Sequence, residues 1–201
     1  ARLSEAPLLQ RLTLHLGRNK MGPGCLQALT RLWASSSLLH TLSLDFKGSF
    51  CDNWGNPLGP VGEYAQALAT LLEAPELHTL SLNLSHNELG PECAQALARL
   101  SEAPLLQRLT LHLGRNKMGP GCLQALTRLW ASSSLLHTLS LDFKGSFCDN
   151  WGNPLGPVGE YAQALATLLE APELHTLSLN LSHNELGPEC AQALARLSEA
   201  P

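Results

Sequence analysis

The sequence has few charged residues and few aromatic ones. Charged residues make up 15% of the 201 residues, against roughly 25% in a typical domain, and aromatic residues make up 5%. The formal net charge is -4 and Lys and Arg form no cluster, so the chain lacks the basic field that nucleic-acid backbones attract. No apolar run approaches the ~20 residues that span a bilayer. We therefore expect neither a nucleic-acid partner nor a membrane span.

The chain consists of one unit copied without change. Residues 1–97 return as 98–194, and residues 195–201 open a third copy. Neither end shows an atypical capping repeat, and the first five residues contain no initiator Met and no signal-peptide core. We expect a single continuous solenoid over 1–201 that is a window of a longer array. A recent duplication or a designed consensus array would also explain the identity.

Three segments in each unit share one template of alternating leucines. They begin at Leu9, Leu39 and Leu77, and the next begins at Leu106, which gives spacings of 30, 38 and 29 residues. Alternation over about seven positions is the signature of a strand with one buried face. The pattern predicts six parallel strands in one concave sheet, at about 9–16, 39–46, 77–84, 106–113, 136–143 and 174–181. The residues predicted to be buried are Leu14, Leu44, Leu82, Cys25, Tyr64, Cys93, Leu29, Leu68 and Leu97.

Each strand is followed by an asparagine, then Gly-Pro, then a short helical stretch such as 92–100. A short side-chain amide at this point can satisfy backbone groups of a turn that lacks ladder partners. We therefore interpret one asparagine in each coil as structural. These are Asn19, Asn56, Asn87, Asn116, Asn153 and Asn184.

The pattern L-x-x-L-x-L-x-L-x-x-N-x-L-G-P followed by a helix resembles the leucine-rich-repeat family, and the 29- to 30-residue coils resemble its ribonuclease-inhibitor-like class. The resemblance covers the whole chain, with two extra strand residues before the asparagine and one 38-residue coil in each unit. It implies an α/β, right-handed, horseshoe-shaped solenoid with a parallel sheet on the concave face and helices on the convex face. It also implies protein binding, usually on the concave face.

The cysteines fit a packing role better than a metal site. Cys25 and Cys93 share a helix position with Tyr64, and no C-x-x-C spacing occurs, so we expect no metal and no cofactor. Cys51 differs, because it lies in an insertion. Its copy Cys148 is three coils away, on the order of 14 Å by strand spacing, which is too far for a disulfide within one chain. Cys51 is then either reduced or bonded to a neighbouring chain.

Polar residues occupy equivalent outward positions on successive strands. This row could hold a metal or a polar ligand, but a solvated row with His-Asp pairing across strands is the simpler interpretation. With no serine linked to a base and no phosphate loop, we predict no enzyme. Asn83 and Asn180 also begin Asn-x-Ser sequons, which leaves glycosylation open. The concave-face candidates are Arg11, His15, Asp45, Lys47, Asn83, His112, Asp142 and Asn180.

The nine-residue insertion at 47–55, copied at 144–152, is the strongest functional candidate. It adds Phe and Trp where aromatic residues are scarce, and aromatic residues on exposed loops are typical of interaction hot spots. We expect these loops to form a regular row of Phe and Trp side chains at roughly 14 Å intervals. Alternatively, the aromatic residues fold back over the core. The interaction-loop candidates are Phe50, Cys51, Trp54, Phe147, Cys148 and Trp151.

The identical copying favours a structural repeat protein. Surfaces that recur at a fixed interval suit a periodic assembly, whereas a receptor for one irregular partner benefits from coils that differ. We therefore predict protein partners, self-association and an extended assembly or filament built through identical repeated surfaces. The alternative is a recognition module that binds a separate protein on its concave face.

Overall fold

A computed structural model describes residues 8–34 and 36–199. Six parallel strands form one sheet in chain order, so the predicted parallel sheet is confirmed. Each strand has five residues and is shorter than predicted, because the apolar positions at both ends of each template already lie in the turns. The strands are β1 Arg11–His15, β2 Thr41–Asp45, β3 Thr79–Asn83, β4 Arg108–His112, β5 Thr138–Asp142 and β6 Thr176–Asn180.

The register places leucine beside leucine across the sheet. Leu42 pairs with Leu80 and Leu44 with Leu82, and the same pairing continues through the second unit. Because alternate side chains of a strand share one face, the leucines form continuous columns beneath the sheet. The opposite face carries Thr, Ser and the polar row.

Helices cover the leucine columns. Three of them begin with Pro, whose missing N–H costs nothing in the first helical turn. No helix in the described ranges is both long and apolar enough to cross a membrane. The helices are α1 Pro23–Leu29, α2 Arg31–Ala34, α3 Val61–Ala69, α4 Pro91–Ala98, α5 Pro120–Leu126, α6 Arg128–Ala131, α7 Val158–Ala166 and α8 Gly187–Ala195, with 3-10 turns at Thr70–Glu73, Arg99–Glu102, Thr167–Glu170 and Arg196–Glu199.

Most of the predicted core residues are buried, and the exceptions lie in the first coil. The confirmed positions are Leu44, Leu82, Tyr64, Cys93, Leu68 and Leu97. The prediction is wrong for Cys25, which is exposed, and for Leu14 and Leu29, which are half-buried. Their copies Leu111, Cys122 and Leu126 are buried. The difference arises because α4 and β3 cover the fourth coil, whereas no described strand or helix precedes β1.

This difference makes Cys25 the most reactive thiol of the 201-residue chain. Burial raises the pKa of Cys122, so the same sequence is protected one unit later. A thiol-specific reagent at neutral pH should therefore modify about one cysteine rapidly in the native chain. Cys25→Ser should remove the fast phase without changing the slow one. Rapid modification of several thiols would show that the internal coils open easily.

Candidate functional site

A buried asparagine ties three of the four short turns to the neighbouring coil. The Asn87 side-chain amide donates to the carbonyl oxygens of Leu84 and Phe46, at 2.9 Å each. Its Oδ1 accepts the N–H of Phe50 at 2.9 Å. Asn116 and Asn184 repeat this arrangement. For these three residues the structural interpretation agrees with the observed hydrogen bonds, and they form what we call the asparagine ladder.

The long coil uses serine in this ladder. Ser49 is fully buried, and its hydroxyl donates to the Leu16 carbonyl at 2.6 Å, as does the hydroxyl of Ser146 to that of Leu113. The assignment of Asn56 and Asn153 to the ladder is therefore wrong, and both are exposed. The extra residues of the long coil therefore follow Ser49, and the predicted start of the insertion at residue 47 is too early.

Asn19 also differs from the ladder residues. It is exposed, and its only described side-chain hydrogen bond is a 3.4 Å contact to the Gly17 carbonyl. Within the described ranges no coil precedes it, so there is no neighbouring backbone for its amide to bind.

The residues on both sides of each asparagine of a short coil adopt left-handed backbone conformations. These are Arg18, Lys20, His86, Glu88, Arg115, Lys117, His183 and Glu185, with φ between 48° and 62°. Non-glycine residues rarely adopt such angles, and a surrounding structure that fixes the turn is needed to hold them. In the long coil, Gly48 and Gly145 take the first of the two positions. The turns thus carry charged side chains along the edge where the strands end, which we call the strand-exit edge.

Phe50 anchors the inserted loop to the core. It is buried and stacks on Tyr64 with ring centroids 4.5 Å apart. The Tyr64 hydroxyl lies 3.1 Å from the carbonyl oxygen of Met21, and burial raises the pKa of Tyr64 to about 12. The neutral hydroxyl can donate to the backbone carbonyls of Met21 and Phe50 at the base of the loop.

The tip of the loop is closed by Asp52. Its Oδ1 accepts the backbone N–H groups of Trp54 at 2.8 Å and Asn56 at 2.9 Å, and its Oδ2 accepts the Asn56 side-chain amide at 2.9 Å. These hydrogen bonds, with that from the Asn56 side chain the largest, lower the pKa of Asp52. The loop is therefore ordered by its own bonds, yet the Trp54 side chain is 90% exposed, and its copy Trp151 is 89% exposed.

The structure separates the aromatic residues that the sequence analysis grouped together. An exposed row of Phe and Trp is wrong for Phe50 and Phe147, which are core residues. Cys51 and Cys148 are also buried; the Cys51 thiol donates to the His86 carbonyl at 3.2 Å, and burial raises its pKa. Both cysteines are free thiols. Of the six interaction-loop candidates, the two tryptophans alone present large exposed side chains.

The polar row on the outward face of the sheet is confirmed as a row by the strand register. His112 Nδ1 lies 3.7 Å from Asp142 Oδ2, which is the His-Asp pairing predicted across strands. Asp45 Oδ1 accepts the Lys47 N–H at 3.0 Å, and Asn83 Oδ1 accepts the Ser85 hydroxyl at 2.5 Å. Among the residues described, no group of three His, Cys, Asp or Glu could hold a metal ion. Much of this row is engaged in local bonds, and Arg11, at the other end of β1, is exposed.

Sequence reasoning missed a second row, on the strand-exit edge. Each of the six coils contributes one exposed basic or imidazole side chain to it. We call this the cation row, and it consists of Arg18, Lys47, His86, Arg115, Lys144 and His183. Backbone bonds fix its order, since Arg18 donates to the Lys47 carbonyl and Arg115 to that of Lys144. The sequence does contain a pattern that indicates this row, because all four of its lysines follow strands.

The cations of the row lie close enough to affect one another. The pKa of His86 is lowered, first by partial burial and then by the charges of Lys47, Arg115 and Arg18. Beside the row are open grooves lined in part by the inserted loops: one of about 590 Å³ lined by residues of both units, and one of about 380 Å³ in the first unit. The tryptophan loops and the cation row thus share one edge of the molecule.

Comparison with known proteins finds one family model that matches part of each unit and two distant structures. A family model described as "Leucine Rich repeat" matches residues 77–98 and 174–195, the β3–α4 segment and its copy. The leiomodin-1 actin-binding site 2 structure is 13% identical, with a TM-score of 0.46, over 98% of this chain and 86% of that one. The tropomodulin C-terminal domain of Caenorhabditis elegans is 15% identical, with a TM-score of 0.40, over 98% of this chain and 90% of that one. No curated protein matches the sequence.

Proposed function

Because a leucine-rich-repeat model matches both copies of the β3–α4 segment and the two units are identical in sequence, we propose that this chain is a structural scaffold that assembles through its tryptophan loops, with a binding role in place of a catalytic one. One observation carries the proposal. Trp54 and Trp151 are almost wholly exposed on loops that Asp52 and its copy Asp149 close by hydrogen bonds to the backbone. An ordered loop that displays a bare tryptophan has little other use than contact with another surface.

The energetics favour such a contact. Covering a tryptophan removes on the order of 200 Å² of mostly apolar surface from water, which is worth about 4 kcal/mol before ordering costs. Those costs are small here, because Asp52 already fixes the turn and Phe50 already fixes its base. Two such contacts on one chain add through multivalency.

Identical copying favours a further copy of the chain as the partner. Each copy presents the same loop at the same interval, so a contact that satisfies one loop is available to the other in the same geometry. An assembly built in this way extends by repetition and needs no second kind of subunit.

Recognition on the concave face is the alternative, and it has less support. The polar row there is partly engaged in its own hydrogen bonds, as at Asp45 and Asn83. Its exposed members include no aromatic residue. Interface hot spots are enriched in Trp, Tyr and Arg, and on this face only Arg11 and its copy Arg108 belong to that group.

Replacing both tryptophans tests the proposal. In sedimentation velocity at micromolar concentration, the wild-type chain should show concentration-dependent larger species, and electron microscopy should show extended particles. The double variant Trp54→Ala, Trp151→Ala should sediment only as a monomer. Its far-ultraviolet spectrum and melting temperature should be nearly unchanged, because side chains this exposed contribute little to the core.

A matched control uses other exposed apolar side chains. Leu38 and Leu135 are equivalent residues outside the loops, 36% and 38% exposed. Leu38→Ala combined with Leu135→Ala should leave association unchanged. Association that survives the tryptophan replacements, or that the leucine replacements abolish equally, would show that the contact lies elsewhere, for instance at the sheet edges β1 and β6.

A further inference from the structure

The four Arg and Lys residues of the cation row lack an acidic partner. Across the described ranges, ion pairs join Arg99 to Glu102, His112 to Asp142 and Lys117 to Glu88, and none involves Arg18, Lys47, Arg115 or Lys144. All four side chains are exposed. The chain therefore holds a line of unpaired positive charge although its net charge is -4.

The cations of the line come from two adjacent turn positions. Gly48 and Gly145 occupy the turn position of Arg18 and His86, so Lys47 and Lys144 lie one residue earlier in their coils. Successive strands lie about 4.8 Å apart, and the row takes one side chain from each coil. The left-handed turns hold the backbone at Arg18, His86 and Arg115, and hydrogen bonds between coils fix the backbone at Lys47 and Lys144. The positions from which the cations project are therefore fixed before anything binds, which reduces the ordering cost of a ligand.

We propose that the cation row binds an extended, acidic segment of a partner protein that lies across the ends of the strands. A segment of about ten residues is long enough to follow the six coils. Its carboxylates meet the Arg and Lys side chains, and its other side chains enter the grooves beside the inserted loops. This binding does not require the tryptophans, so it is separate from the assembly proposed above.

Acidic residues beside the row favour a peptide over a nucleic acid. Asp52 lines the groove of the first unit, and Glu88, Asp149 and Glu185 line the larger groove. A phosphate backbone carries charge at every residue and would meet these carboxylates. An acidic peptide can place neutral residues opposite them and carboxylates opposite the cations.

Fluorescence anisotropy with a labelled peptide tests the proposal. The probe is a fluorescein-labelled peptide of about ten residues with alternating Glu and Ser, which is long enough when extended to span the row. The wild-type chain should bind it, and binding should weaken as salt is added. Lys47→Gln combined with Lys144→Gln should weaken binding roughly tenfold. No described hydrogen bond involves either Nζ atom, so the far-ultraviolet spectrum should not change.

The matched control removes the same charge elsewhere. Arg31→Gln combined with Arg128→Gln changes two exposed cations on α2 and α6, away from the row. This control should bind the peptide within about twofold of the wild type. Equal weakening in both double variants, no binding by the wild type, or tighter binding of a single-stranded RNA of equal charge would overturn the proposal. Self-association, measured in the same chains, reports separately on the tryptophan loops.

Discussion

Asn116→Ala is expected to lower the free energy of unfolding by about 3–5 kcal/mol. The fully buried Asn116 amide donates to the carbonyls of Leu84 at 3.0 Å and Leu113 at 2.8 Å, and its Oδ1 accepts the N–H groups of Asn87 at 2.9 Å and Leu89 at 3.3 Å. Alanine leaves the N–H groups of Asn87 and Leu89 without partners, whereas the carbonyls of Leu84 and Leu113 still accept hydrogen bonds from the side chains of Asn87 and Ser146. Each unsatisfied group costs about 1–3 kcal/mol, with some relief from local relaxation.

Urea unfolding followed by circular dichroism measures this loss. Asn19→Ala is the matched control, because Asn19 occupies the equivalent turn but is exposed and makes one 3.4 Å bond. It should change the free energy of unfolding by less than about 0.5 kcal/mol. If Asn116→Ala costs no more than the control, water replaces the amide easily and the ladder does not hold the coils together.

Phe147→Ala is expected to cost a similar amount, about 3–5 kcal/mol, for a different reason. Phe147 is fully buried, stacks on Tyr161 with centroids 4.7 Å apart and packs against Phe143 at 5.1 Å. Removing its ring loses the transfer free energy of the side chain and leaves a cavity between two aromatic rings. The loop at 144–152 also loses its anchor.

Trp151→Ala in the same loop supplies the control. It removes a larger ring that is 89% exposed, so thermal and urea unfolding should shift by no more than about 0.5 kcal/mol. Comparing the two variants separates the contribution of Phe147 to the core from that of Trp151, which is exposed for contact. A Trp151→Ala loss equal to that of Phe147→Ala would make the tryptophan a lid of the core.

The sheet could be predicted because its cause is local. Strict alternation of leucine, as in β3, requires one buried face, and three copies of the template in each unit require the same register from strand to strand. The exact strand ends were less predictable, because turn bonds take over from ladder bonds gradually. Phe46, for example, donates to the Asn83 carbonyl at 2.8 Å just beyond β2.

The ladder of the long coil could not be read from the asparagine pattern. Asn56 stands at the expected distance before Leu58, whereas Ser49 stands three residues after Phe46, as Asn87 does after Leu84. The ladder residue can be located by its distance from the following helix or from the preceding strand, and the two distances select different residues when an insertion lies between them. The hydrogen bond of Ser49 shows that the distance from the strand selects the correct residue.

Residues that depend on neighbouring coils were the hardest to predict. Phe50 and Trp54 lie in one insertion with similar chemistry, and only the position of Tyr64 separates them. Cys25 and Cys122 have identical local sequences and opposite exposure. The cation row was hidden because it takes a single residue from each coil, so no run of basic residues appears in the sequence.

In the left-handed turns, the backbone conformation is independent of the charge that the side chains carry. Arg18, Lys20, His86 and Glu88 all have left-handed φ angles, although their charges differ. The angles are similar beside the exposed Asn19 and the buried Asn87, so they do not depend on the charge of the flanking side chains. Charge at such positions can change without altering the turn. Substitutions along the strand-exit edge can therefore change which partner the chain binds, one coil at a time, without changing the fold.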